Sequence, residues 1–180
     1  MTGRPALVRL VIAVTIGALL VAHALTWAPS QILWACHVAS LVIAIGMAFD
    51  NPKLIAIGMV FHAGQGIPAW MIDLFVTGEN SLTSTLLHII PLGSSLWALW
   101  PKPLPSSILL PAWLLHPFAM VLAYLIADPK LNVMLVHEPY GPAAGMFDAL
   151  WIVHVVNIAL SLVCCTIGWL VLRFVLWRNR

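Results

Sequence analysis

Six apolar runs divide this 180-residue chain, each closed by a cluster of breakers or charges. They cover about Ala6–Trp27, Gln31–Phe49, Leu54–Val76, Leu82–Trp100, Ser107–Ala127 and Phe147–Val175. A helix that crosses a hydrocarbon core of roughly 30 Å needs about 20 mostly apolar residues, which is the scale of these runs. The stops are chemically explicit: Ala28-Pro29-Ser30, Asp50-Asn51-Pro52, Thr77-Gly78-Glu79-Asn80, Pro101-Lys102-Pro103-Leu104-Pro105 and Asp128-Pro129. In lipid, backbone polar groups must be satisfied inside their own segment, so each run is read as helix. The predicted fold class is all-α: a polytopic bundle of six transmembrane helices, forming a single membrane domain over residues 1–180.

Composition narrows the class further. Hydrophobic residues make up 62% of the chain and charged residues 8%, with a mean hydropathy of +1.02. Soluble domains carry about 25% charged residues, so a soluble fold could not cover this much apolar surface. The same balance excludes a disordered chain and a coiled coil. With a net charge of +2 and scattered basic residues, it also argues against a nucleic-acid partner. Three cysteines, two of them the adjacent pair Cys164 and Cys165, do not make a disulfide framework. Histidine is the unusual component, because seven His outnumber six acidic residues and most lie within apolar runs.

Basic residues set the expected orientation. With the N-terminus in the cytoplasm, Arg4, Arg9, Lys53, Lys102, Arg173, Arg178 and Arg180 fall inside, and Lys130 alone falls outside. Asp73, Glu79, Asp128, Glu138 and Asp148 fall outside, leaving Asp50 inside. Both termini are therefore expected in the cytoplasm, with a bacterial inner membrane as the host. A cleaved leader is the alternative for the first run, since Ala22-His23-Ala24 resembles a small-residue cleavage site; a retained helix is expected.

Threaded through that topology, the polar side chains collect in the outer half. His23, Cys36, His37, Asp73, His88, Asp148, His154 and Asn157 all lie toward outer helix ends, and His137 lies in the loop 128–146. His62, Gln65 and His116 sit nearer the middle. Intramembrane ionisable groups usually face the bundle interior or a cavity, although one interhelical hydrogen bond per His, worth roughly 0.6 kcal/mol, is the plainer account of each. The mixed apolar and aromatic loop 128–146 is expected to be an ordered cap over an outward polar pocket.

Several chemistries fit these residues. Cys36 could be a nucleophile if a His from another span served as base, since its neighbour His37 points about 100° away on a helix. A buried Cys acting as a small hydrophobe is the alternative. His23, His37, His88 and His154, with Asp73 or Asp148, could ligate a metal, but no His pair has one-face spacing on a single helix. A b-type haem would need axial His on facing helices, such as His62 and His116. Proton conduction lacks polar residues in the inner halves. Gly58, Gly64, Ser94 and Ser95 have the character of helix-contact positions, and Cys164-Cys165 of packing.

The segments Trp34-Ala35-Cys36-His37-Val38 and Leu87-His88-Ile89-Ile90-Pro91 carry a resemblance. So does the loop that runs from Asn132-Val133-Met134 to Pro139-Tyr140-Gly141-Pro142. In order, spacing and topology the chain resembles the YwaF-like six-helix membrane proteins. That superfamily includes uncharacterised bacterial membrane proteins and a transmembrane phospholipid acyltransferase. The resemblance implies that Cys36, His88, Asn132 and the Pro-Tyr-Gly-Pro turn share one site, with Cys36 accepting an acyl group and a histidine assisting.

The expectation is lipid acyl transfer or hydrolysis with Cys36 as nucleophile, His88 as base and Asn132 or loop backbone donors at the oxyanion. His37, Asp73, His137, Tyr140, Asp148 and His154 would line the pocket. The other class is a non-catalytic or redox membrane subunit that binds metal or haem through its histidines. Membrane lipids are the expected partners, and other membrane proteins or a second copy remain open.

Overall fold

The computed structural model describes residues 2–27, 32–76, 81–137 and 149–178, and the described residues are helical, with no strand among them. The helices are α1 (Ala6–Thr26), α2 (Ala35–Ala48), α3 (Pro52–Phe61), α4 (Ile67–Val76), α5 (Leu82–Leu99), α6 (Leu109–Ile126) and α7 (Leu150–Trp177). A π-helical segment, His62–Gly66, joins α3 directly to α4. Short 3-10 turns occur at Ser106–Ile108, Pro129–Leu131 and Val133–Leu135.

Among the described residues, five stretches are long and apolar enough to cross a membrane: Ala6–Thr26, Pro52–Ile72, Leu82–Leu99, Ser106–Ile126 and Leu150–Trp177. They mark a helical membrane protein. The second apolar run differs from expectation, because its α-helix has only 14 residues and starts at Ala35. At 1.5 Å per residue it is about 20 Å long, short of a hydrocarbon core of roughly 30 Å. Trp34 is extended (φ −62°, ψ 146°) and ends the helix on that side.

Local chemistry sets the other ends. The Asn51 side chain accepts from the N–H of Lys53 (3.0 Å) and Leu54 (3.2 Å), with Pro52 in the first turn of α3. Ser81 caps α5 by accepting from Ser84 N–H at 3.1 Å. Pro91 lies inside α5 and has no N–H to offer the Leu87 carbonyl. Ser40 on α2 donates to that carbonyl instead, at 3.2 Å, so a local defect in α5 becomes a tie between two helices.

Small residues bring the backbones together. A Cβ on Gly58 would lie 2.9 Å from the Ala39 carbonyl oxygen. One on Gly64 would lie 2.7 Å from both the Cys164 oxygen and Cys165 Cα. Without hydrophobic pressure between helices in lipid, such close van der Waals approach is what holds spans together. Ile43, Met47, Ile55, Met59, Val60 and Phe61 fill the α2–α3 core, while Leu25, Phe75, Phe118 and Leu160 point outward.

The N-terminal residues close the end of the bundle that carries the α2–α3 turn. Asp50 adopts a left-handed conformation there (φ 50°). Its Oδ1 accepts from Thr2 N–H (2.9 Å) and Thr2 Oγ1 (2.7 Å) and meets Arg9 Nη1 at 3.0 Å. Arg4 donates to the carbonyls of Trp97 (3.0 Å) and Trp100 (3.1 Å). The hydrogen bonds from Thr2, and secondarily Arg9, hold the Asp50 carboxyl below the usual carboxylate value of 3.8.

Candidate functional site

At the opposite end, four helical segments bring histidines together. His23 on α1 and His37 on α2 lie with ring centroids 4.5 Å apart, and His23 Nδ1 is 3.2 Å from Thr83 Oγ1 on α5. His62 opens the π segment and lies 5.6 Å from the His88 ring on α5, the two planes 30° apart. Trp70 also stacks on His88, at 4.8 Å. All four histidines are buried.

The hydrogen bonds assign the imidazole protons. A carbonyl oxygen only accepts, so a ring nitrogen bonded to one carries the hydrogen. His88 Nδ1–H donates to the Ser84 carbonyl at 2.7 Å; its Nε2 is then a lone pair, buried and without a hydrogen-bond partner among the described residues. His62 Nε2–H donates to the His88 carbonyl at 3.1 Å, which leaves His62 Nδ1 as the bare lone pair. Buried polar atoms are nearly always partnered, so two bare lone pairs on stacked rings call for an explanation.

Cys36 lies beside His62. It is half-buried in the first turn of α2, where the late start of the helix leaves backbone N–H groups unclaimed by the helix ladder. Its Cα and Cβ lie 3.0 and 3.1 Å from the position a Gly66 Cβ would take, and His62 Nδ1 lies 3.0 Å from that same position. Only a glycine lets the cysteine and the imidazole share this spot. Ser40 ties the arrangement to α5, its single hydroxyl hydrogen shared between the carbonyls of Cys36 (2.7 Å) and Leu87 (3.2 Å).

The remaining predicted residues gather around α6, α7 and the start of the cap. Asn132 (φ 43°) and Met134 (φ 60°) are both left-handed, which folds residues 129–137 into a tight strap. Asn132 Oδ1 accepts from His137 N–H at 3.0 Å, and the His137 ring stacks on Tyr124 at 5.5 Å. From α7, Asn157 Nδ2 donates to the Met134 carbonyl (3.2 Å) and His154 Nε2–H to that of Val136 (3.1 Å). His116 on α6 is buried beside Phe61, at 6.4 Å. A bond from Gln65 Nε2 in the π segment to the Ser161 carbonyl (3.2 Å) links α7 to the first group.

The sequence-predicted residues thus separate. Cys36, His37, His88 and His23 come together, whereas His137 and His154 tie the strap 129–137 to α6 and α7, and Asn132 braces that strap from within. Asp73 falls in the second half of α4. Tyr140, Asp148 and the Pro139–Pro142 turn lie outside the described residues, as does the loop beyond residue 137. Among the described residues, no three His, Cys, Asp or Glu side chains converge in the manner of a metal site. Of the candidate set His23, His37, His88 and His154, the last is on α7 and gives its Nε2–H to the Val136 carbonyl.

His62 is the residue that depth along its span separates from Cys36 and that the fold brings beside it. The available signal was its surroundings, His62-Ala63-Gly64-Gln65-Gly66, where two glycines frame a polar residue inside an apolar run. The chain matches no family model, no curated protein and no solved structure.

Proposed function

We propose that the protein is an acyl-transferring or acyl-hydrolysing membrane enzyme in which Cys36 is the nucleophile and a membrane lipid ester is the acyl donor. One observation carries this reading: a cysteine in the first turn of a helix, packed beside an imidazole, His62, whose Nδ1 has no hydrogen-bond partner among the described residues. A helix N-terminus and a nearby base both favour the thiolate, and the N–H groups of that turn suit an oxyanion. The resemblance to YwaF-like proteins and their acyltransferase branch points the same way.

In this reading the chain crosses the membrane six times, with both termini in the cytoplasm and the histidine group toward the outside. The short α2 then ends about 10 Å below the outer edge of the hydrocarbon core. A site recessed to that depth suits a lipid-borne acyl group better than a soluble ester.

The chemistry balances in two steps. The thiol proton passes to a buried imidazole beside the cysteine as sulfur attacks the ester carbonyl. The tetrahedral intermediate expels the lipid alcohol, which takes that proton, and an acyl thioester remains on Cys36. Water or a second alcohol then attacks the thioester, giving up its proton to the bare His88 Nε2 and on to the departing thiolate.

The test uses the full chain in vesicles of phospholipid labelled in its acyl chains. Acyl transfer should load label onto the Cys36 peptide and release or relocate labelled acyl groups, and Cys36→Ser should abolish both. Turnover that persists in Cys36→Ser would sink the reading. A visible haem spectrum or stoichiometric metal in the purified protein would favour the histidine-ligand subunit instead.

A further inference from the structure

We propose that His62, and not His88, takes the proton from Cys36, and that the π-helical segment serves to place it there. The inference rests on the cysteine chemistry proposed above and names the base within it.

The arrangement has the logic of a nucleophile, a base and an orienting group. The Cys36 Cα and Cβ and His62 Nδ1 each lie 3.0–3.1 Å from the point where a Gly66 Cβ would stand. The orienting group is the His88 backbone carbonyl, which binds His62 Nε2–H and so fixes the tautomer with Nδ1 bare. His88's own ring is committed differently, with Nδ1–H on Ser84 and its face on Trp70.

The π segment is the enabling feature. In it, Ile67 N–H bonds to the His62 carbonyl five residues back rather than four. One extra residue in the turn shifts α4 around the axis relative to a regular α-helix, and such bulges recur at functional sites. Here the bulge sets Gly66 against both His62 and Cys36, while Gly64 packs on α7. The other titratable groups around this position are His37 on α2, His23 on α1, His88 on α5, and Cys164 and Cys165 on α7.

The deciding experiment is the rate of iodoacetamide alkylation of Cys36 against pH. It is read by mass spectrometry of the Cys36 peptide from the full-length protein in micelles, so Cys164 and Cys165 do not interfere. Wild-type protein should react with an inflection below that of an ordinary thiol. His62→Gln should move the inflection up to the ordinary thiol range and slow alkylation at neutral pH about tenfold. Gly66→Ala should act in the same direction by wedging a methyl group between the two, and it decides the matter should His62→Gln fail to fold. His88→Gln keeps its backbone carbonyl and should leave the profile within about twofold of wild type. Wild-type profiles in both His62→Gln and Gly66→Ala, or an upward shift in His88→Gln alone, would overturn the assignment. Failure of the acyl-transfer reading is seen separately, as absence of label on Cys36 whatever the alkylation profile.

Discussion

The two ends of the bundle handle buried polarity in opposite ways. At the end closed by the N-terminus, Asp50 receives Thr2 and Arg9, and Arg9 also donates to the carbonyls of Met47 (3.3 Å) and Arg4 (3.3 Å). Arg4 lies over the Trp97 ring at 5.1 Å and donates to two carbonyls at the end of α5. Charge there is consumed in holding helices together. Toward the other end, His62 Nδ1 and His88 Nε2 have no hydrogen-bond partner among the described residues, and midway along α6 neither ring nitrogen of His116 reaches hydrogen-bond geometry with them, although Asn157 lies alongside. An unsatisfied buried polar atom costs about 1–3 kcal/mol, so this arrangement works against stability where the first one serves it. The lesson is that the count of histidines says less than the count of their unused lone pairs.

That contrast can be broken by exchange of effects between the ends. The largest expected change is in activity: His88→Gln should lower acyl turnover about 100-fold while the melting temperature in detergent holds or rises. A large loss of stability with unchanged turnover would mean that the bare nitrogen is structural. Arg9→Met should do the reverse. It strands Asp50 and two carbonyls, so the melting temperature should drop by on the order of 5 °C, with turnover per folded molecule unchanged.

The Asp50 end should also be the acid-sensitive one. Its carboxyl is held below its usual value when folded, so the stability it contributes is present above about pH 4 and lost as pH falls through the lowered value. Melting temperatures measured from pH 5 down to 2 should show that decline in wild type. Asp50→Asn should start lower at pH 5 and take a flatter course; an unchanged acid limb would remove Asp50 from the clamp.

The smallest effect concerns Asn132, which sharpens the comparison because it is a satisfied polar residue at the unsatisfied end. Asn132→Ala should cost about 1–2 kcal/mol, losing the His137 bond while keeping a left-handed φ of 43°. Asn132→Gly should cost less than half of that in the same denaturation series, since glycine accepts the conformation freely. Equal losses would mean that the hydrogen bond alone matters.

Much of the architecture was legible along the chain. Asn51-Pro52 and Ser81 announce helix starts because capping is a matter of three or four adjacent residues, and the apolar runs end at the expected breakers. The start of α2 was not legible, since Gln31 to Trp34 are as compatible with a helix as Ala35 to Val38. That difference moved Cys36 from the body of a span into a first turn. His154 joins the Cys36 pocket by depth and Asn132 by resemblance, and neither distinguishes neighbours across a bundle. His62 was set aside as mid-membrane for the same reason, yet its lone pair lies on the same glycine as Cys36.

Sequence by itself determined that the chain is a helical membrane protein, where most of its helices stop, and that it is rich in intramembrane histidine. These features arise from hydropathy and capping, which act over a few residues. Tertiary structure decided which imidazole nitrogens are spent and which are bare, because each proton is fixed by a carbonyl on another turn or another helix. It also decided which histidine stands beside the cysteine, through a π segment and a glycine that mean little until α2 is packed against them.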